Sequence, residues 1–270
     1  MKKFFMKFRF ALLLIGTALI MSACQTVPIT GRSQMLFTSV AEENQLGQQA
    51  WNQIKSKERE TKNKQYSDAV KRVGKNIASV ANTPGFQWEF KTFESPQANA
   101  FCLPGGKVAV YTGIFKYMAN DAELAAVMGH EVGHAIARHG GERISQEQAR
   151  SVGQSIVSEM TDTQYRQLAV TVYGGATAVG VMLPYSRTHE YESDHIGMIL
   201  MARAGYNPNH AVSFWEKFSK ASKTSALEEF ISTHPIGDKR VEEMQLLLPQ
   251  ALDIYSKAKD QLNTGVVYKK

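Results

Sequence analysis

The sequence predicts an α+β domain, mostly helical, with one small β-sheet beside a central helix. Three observations carry that reading. Apolar residues recur every three or four positions through much of the chain, the period of helices with a buried face. Two such stretches open on capping boxes, Ser39-Val40-Ala41-Glu42 and Asn120-Asp121-Ala122-Glu123. Strand pattern shows at residues 86–90 and in a hairpin whose arms, Ala98–Leu103 and Lys107–Tyr111, flank the turn signal Pro104-Gly105-Gly106. A chain of 270 residues with 43% apolar residues can bury one large core. No internal repeat is evident, and the expected divisions are 1–23, 24–38 and 39–270.

The chain opens with a basic stretch, Met1 to Arg9, then an apolar run from Phe10 to Ile20, then Met21-Ser22-Ala23-Cys24. The run is too short and too early for a comfortable membrane span and has the layout of a signal peptide. Small residues before a cysteine resemble the bacterial lipobox, with Met21 where Leu is commonest. The expectation is cleavage before Cys24 and its lipidation. Acyl chains there would hold the protein to a membrane, at about 0.8 kcal/mol per buried CH₂. Gln25, not Asp, follows the cysteine. By resemblance to lipoprotein sorting in Gram-negative bacteria, this favours the periplasmic face of the outer membrane. Residues 25–38 have little periodicity and read as a tether. The formal charge of +6 is partly a property of the leader: without Lys2, Lys3, Lys7 and Arg9, 27 basic residues face 25 acidic ones. No basic stripe stands out, so nucleic acid is excluded as a partner. With Cys24 lipidated, Cys102 has no disulfide partner and reads as a small apolar residue.

Past Ser39 a helix should run through Leu46, Ala50 and Ile54. A second, from Gln65 to about Ala81, aligns Ala69, Val70, Val73, Ile77 and Val80 and stops at Asn82-Thr83-Pro84-Gly85. Phe86, Trp88 and Phe90 alternate with polar residues, so a strand with one buried face is expected. Ala98 to Leu103 leads into the Gly-Gly turn and a returning strand, a hairpin whose edge could take up an extended peptide. Asn120 opens the next helix, narrow on several sides through Ala125, Ala126, Gly129 and Gly133, and therefore buried. It should end near His139-Gly140-Gly141. A polar helix is expected over 142–160. Residues 163–183, apolar and glycine-rich before Pro184, read as a buried hairpin helix rather than a membrane span.

The buried helix contains His130-Glu131-Val132-Gly133-His134. Residues four apart share a helix face, so both imidazoles can aim at one point. That spacing suits Zn²⁺ with an open coordination position, and Glu131 lies one residue round the turn, where a general base is needed. Histidines in a buried helix are costly without partners, and a metal is one. A catalytic zinc usually takes a third protein ligand. The extended pattern with a third histidine is excluded, because Ala137 and Gly140 occupy its Gly and His positions. The best source is the helix opening at Ser186 and closing at Gly205. Glu190 and Asp194 share a face there, among core residues such as Ile196 and Met201. From spacing alone, Glu190 is a ligand candidate with Asp194 orienting an imidazole, and Glu192, His189 and His195 remain competitors. The bland alternative is a buried acidic pair bridged to Arg187.

The pairing of His130–His134 with Ser186-Arg187-x-x-Glu190-Tyr191-Glu192-x-Asp194 resembles the M48 family of zinc metallopeptidases, which has bacterial periplasmic lipoprotein members. The resemblance spans about residues 40–250 and implies a zincin-like domain. It assigns His130, His134 and Glu190 as ligands of one Zn²⁺, Glu131 as general base and Asp194 as auxiliary acid. It likens Asn99-Ala100-Phe101 with Pro104-Gly105-Gly106 to the family's substrate strand. It likens Thr233-His234-Pro235 and Arg240 to a late loop whose histidine reaches the site. His234 would then assist at the oxyanion or sit in the metal's open position and silence it. Ser193 departs from the family's usual Ala. The function implied is a membrane-anchored zinc endopeptidase acting on polypeptides, misfolded or misassembled envelope proteins above all. A rival from another class is a chaperone or assembly factor for outer-membrane proteins with a self-inhibited zinc site. A purely structural zinc domain is the third reading.

Overall fold

The computed structural model describes residues 24–154, 185–221, 227–235 and 237–269. The expected signal peptide, the apolar stretch 163–183 and the end of the polar helix lie outside the described residues. Among the described residues, no helix is long and apolar enough to cross a membrane.

In chain order the elements are β1 (Cys24–Thr26), β2 (Ser33–Met35), α1 (Val40–Lys57), α2 (Lys64–Val80), β3 (Glu89–Phe93), β4 (Ala100–Leu103) and β5 (Lys107–Tyr111). A 3-10 turn (Thr112–Tyr117) precedes α3 (Asp121–Ile136). Then come α4 (His139–Gln154), α5 (Arg187–Arg203), α6 (Asn209–Ala221), α7 (Glu228–Thr233) and α8 (Asp238–Ser256). The mostly helical α+β class is as expected.

The capping signals act as predicted at α1, where Ser39 and Glu42 close both hydrogen bonds of the box. At α3, Asn120 accepts from the Glu123 N–H, but Glu123 accepts from Ala119, one residue earlier. The three-stranded sheet has the order β3-β5-β4, with β4 antiparallel to β5 across the Gly-Gly turn and β3 parallel to it. Its two faces serve two cores. Val108 and Val110 face the main one, whereas Phe93, Phe101, Ala109 and Tyr111 pack round Trp51 of α1. The strand expected at residues 86–90 begins later, at Glu89. Phe86 and Trp88 precede it, and with Phe90, the second residue of the strand, they stay half-buried and pack ring to ring.

Residues 24–38, read from sequence as a tether, are an ordered hairpin. β1 and β2 pair from Cys24↔Met35 to Thr26↔Ser33, and Val27, Gln34 and Leu36 are buried. Short polar segments leave no periodic signal, which is why the pairing escaped the sequence. The central helix α3 also ends earlier than its glycines suggested. Arg138 takes the left-handed conformation (φ 58°), held there by Glu43 and the Thr38 carbonyl. α4 therefore starts at His139, and its first turn is buried rather than solvated.

Every residue of α3 is buried. Its first N–H groups, which have no partner within a helix, are met by a distant segment. The Asp121 N–H donates to the Val266 carbonyl at 3.0 Å, and the Ala122 N–H to that of Thr264 at 3.0 Å. The Asp121 carboxylate in turn accepts from the Val266 N–H, the Tyr268 hydroxyl and Arg72.

The contact between α3 and α5 sets the site. A Cβ on Gly197 would lie 2.7 Å from the His130 backbone N, and one on Gly129 would lie 2.9 Å from the Gly197 carbonyl O. A Cβ on Gly133 would lie 2.9 Å from the Ser193 carbonyl O. These neighbours are backbone and cannot swing aside. Ser193, unusual beside the family pattern, is small enough to keep this approach. Gly197→Ala should therefore destabilise the fold by about 1–3 kcal/mol, the cost of overpacking, although alanine gains about 1 kcal/mol in helix propensity. Denaturant titration of the two proteins measures this.

Candidate metal centre

α3 presents His130, Glu131 and His134 at the seam, and α5 presents Glu190 and Asp194 opposite them. His234 arrives from the C-cap of α7. One donor atom from each of His130, His134, Glu190 and His234 falls within 4.8 Å of all the others, and all four side chains are buried. The Nε2 atoms of His130 and His134 are 3.1 Å apart. Glu190 Oε2 is 3.5 Å from His130 Nε2, and its Oε1 is 3.4 Å from His134 Nε2 and 3.2 Å from His234 Nδ1. Two nitrogens bound to zinc at 2.0–2.1 Å in tetrahedral geometry would be about 3.3 Å apart, so these separations match the edges of a zinc coordination shell. Glu131 Oε1 is buried with no hydrogen-bond partner among the described residues, and Glu190 Oε2 makes no hydrogen bond there, only an ion pair with Arg240 Nη1 at 2.8 Å. Lone pairs converging at this spacing, with too few protons to share, fit one cation.

The outer contacts are specific. His130 Nδ1 lies 2.8 Å from Asp194 Oδ1. Arg240 grips that carboxylate with Nε and Nη2, both at 2.7 Å, and places Nη1 2.8 Å from Glu190 Oε2. The arginine that balances the two acids is thus Arg240, not the exposed Arg187. Its guanidinium lies 4.5 Å over Trp215, which packs on His130. Tyr185 stacks on His134 at 3.8 Å and carries Arg143 at 4.4 Å. Phe230 stacks on His234.

Charge is tuned by these neighbours. Burial pushes Glu190 up, but His234, Arg240 and His134 outweigh it and hold it well below the usual carboxylate range. Burial raises Glu131, against the pull of His234 and His130. Burial holds His134 well below the ordinary histidine value. For His234, burial is overcome by Glu131 and Glu190, which raise it.

The competitors for the third ligand turn elsewhere. Glu192 bonds to Thr30, Arg32 and His139. His189 meets Glu142 at 3.1 Å, and His195 is only partly buried and outside the donor group. Asn99, Ala100 and Phe101 are buried at the start of the edge strand β4, beside α3. The Phe101 ring packs against Trp51 and Tyr111, so only its backbone could meet a peptide. Cys102, next on that strand, is partly buried, and burial and then Glu131 raise its thiol well above the usual range. The sequence missed Tyr185, Trp215 and the roles of His139 and Arg240. No local signal marked them: His139 lies between Arg138 and Gly140-Gly141-Glu142, and Arg240 follows Asp238-Lys239, both polar stretches.

The model of peptidase family M48 matches residues 64–247. The chain belongs to this family. M48 peptidases use zinc, and the donor group above is a fitting place for one ion. The mitochondrial metalloendopeptidase OMA1 of Arabidopsis thaliana is 37% identical over 187 residues, covering 68% of this chain and 37% of that protein. OMA1 of Schizosaccharomyces pombe is 34% identical over 229 residues, 83% of this chain and 66% of its own. The β-barrel assembly-enhancing protease of Escherichia coli is 26% identical over 271 residues, 91% of this chain and 55% of its own. The chain thus spans between about a third and two thirds of the length of these M48 relatives.

Two outcomes follow. Asp194→Asn should lower zinc affinity about 10–100-fold, read by competition with a chelator, since His130 loses its anionic partner. Burial pushes Glu142 up, but hydrogen bonds from His189 and Arg32 bring it down to about 2. A lowered carboxylate stabilises the fold above its unfolded value of about 4.3 and loses that contribution as pH falls toward 2. The stability gap between wild type and Glu142→Gln should therefore close between pH 4.5 and 2 in denaturant titrations.

Proposed function

We propose that the protein is a zinc metalloendopeptidase held at the periplasmic face of a bacterial envelope membrane, the outer one, by lipid on Cys24. The observation that carries the catalytic reading is the convergence of His130, His134, Glu190 and His234 beside an unbonded Glu131 carboxylate oxygen. His130, His134 and Glu190 are the residues that would hold the ion. Zinc in such a site supplies an acidic water, with a pKa near 7, and polarises a carbonyl.

The chain's own residues do the rest. Glu131 takes the proton from the attacking water and returns it to the leaving amine, and its burial raises its basicity toward that task. Asp194 and Arg240 keep the His130 ring aligned. A peptide adds to the open edge of β4 near Ala100, so that backbone hydrogen bonds bring the scissile bond to the donor group. His234 would be a fourth holder of the ion here, with Nδ1 3.4 Å from His130 Nε2 and Nε2 3.5 Å from Glu131 Oε1. That position supports a resting form from which His234 withdraws when substrate enters.

Envelope proteins that misfold or fail to assemble are the substrates we favour, with the envelope assembly machinery as a partner. The relatives support this: one is a β-barrel assembly-enhancing protease. Cys24 is exposed at the start of the hairpin, as an anchored residue must be. His234 so placed also favours a second reading, a chaperone or assembly factor with its zinc blocked. Glu131→Gln separates the two. A peptidase loses casein cleavage by about 10²–10⁴-fold while keeping zinc, and loses its effect on envelope proteins with it. A chaperone keeps that effect. His234→Ala should raise cleavage and leave zinc in place.

A further inference from the structure

His134 has two ring nitrogens, and the donor group uses one. Its Nδ1 lies 2.8 Å from Nδ1 of His139, which is fully buried. A ring that offers Nε2 to a cation keeps its proton on Nδ1. His139 must then accept at Nδ1 and carry its own proton on Nε2. That nitrogen lies 2.9 Å from Glu192 Oε2, so the proton has an acceptor. Glu192 also accepts from the Thr30 hydroxyl and from Arg32 Nε at 2.7 Å. Arg32 sets Nη1 and Nη2 at 2.9 and 2.6 Å from the oxygens of Glu142. A single placement of protons satisfies every link from Arg32 to His134.

The other metal-facing imidazole is backed in the same manner, with His130 on Asp194 and Asp194 on Arg240. In both chains an arginine fixes a carboxylate. For His134 that arginine lies outside the helical body, on the turn between β1 and β2. The turn is tight, with the Val27 N–H on the Arg32 carbonyl at 2.8 Å and the Gly31 N–H on the Val27 carbonyl at 3.0 Å. Ile29 within it has φ 73°, a left-handed conformation that β-branched residues rarely adopt. Such strain persists where the surroundings over-determine it, and here Thr30 and Arg32 are both tied to Glu192.

We propose that the hairpin Cys24–Met35 is a working part of the metal centre. Thr30 and Arg32, through Glu192 and His139, hold the His134 ring in the tautomer and orientation its Nε2 requires. This rests on the zinc reading above. His139 and Arg32 are positioning residues and touch neither ion nor peptide.

The test is zinc affinity by chelator competition, with the cobalt(II) absorption spectrum as a second readout, on the full protein. His139→Phe keeps the ring's bulk and removes both hydrogen bonds, and should weaken zinc binding 10–100-fold and shift the cobalt bands. His139→Gln can accept from His134 and donate to Glu192, and should bind nearly as wild type. Arg32→Met should weaken binding alone but add little in the His139→Phe background, because the chain is already cut. Wild-type affinity in His139→Phe, or failure of His139→Gln to restore it, overturns the proposal. If His139→Phe does not fold, Arg32→Met decides, and unchanged affinity there overturns it. A wild-type protein that binds no zinc is a different result: it removes the peptidase reading, and this proposal with it.

Discussion

The close approach of two helices, α3 and α5, is the constraint on which the rest depends. Gly129, Gly133 and Gly197 leave backbone in contact with backbone along the seam. At that distance the side chains flanking the seam are forced toward one another. His130 and His134 from one helix and Glu190 and Asp194 from the other become neighbours without any loop having to place them. A site on packed helices is more precise than one on loops, because rotamers are fixed by the core around them. The same closeness excludes water from the seam, which strengthens each electrostatic contact and raises the cost of any left unmade.

That cost explains the electrostatic design. Burying an unpaired carboxylate or guanidinium is expensive, and a buried pair is only as good as its geometry. The centre meets this with bidentate contacts and stacked rings. Arg240 serves two acids at once, and three histidines each lie against an aromatic ring, Trp215, Tyr185 or Phe230. A cation among the four donors would relieve what these contacts leave over. The site is therefore poised for an ion in a way that a plain ion-paired core is not, since such a core would have no reason to leave a Glu131 oxygen buried without a hydrogen bond.

Much of this was legible in the sequence, for reasons that differ by residue. The histidine pair and Glu190–Asp194 could be read because helical periodicity fixes which residues share a face. The starts of α1 and α3 could be read because capping depends on residues three apart. Zinc followed from ligand chemistry. Arg240 as the counter-ion, Tyr185 against His134 and Arg32 behind Glu192 depend on contacts between distant segments, and local pattern holds no trace of those. The hairpin at residues 24–36 was misread because three-residue strands are too short to show alternation. The early stop of α3 was misread because Arg138 accepts a left-handed backbone that glycine would have taken, in return for its contacts with Glu43.

The segment at Thr264–Tyr268, which caps the start of α3, bears on how the molecule comes into being. The Asp121 carboxylate meets the Val266 N–H across 145 sequence positions. During synthesis, therefore, the helix bearing the histidine pair has only its local Asn120 and Glu123 side-chain contacts at its origin until that segment emerges. A chain that has emerged only as far as α8 holds all four donors of the centre and still lacks this clasp.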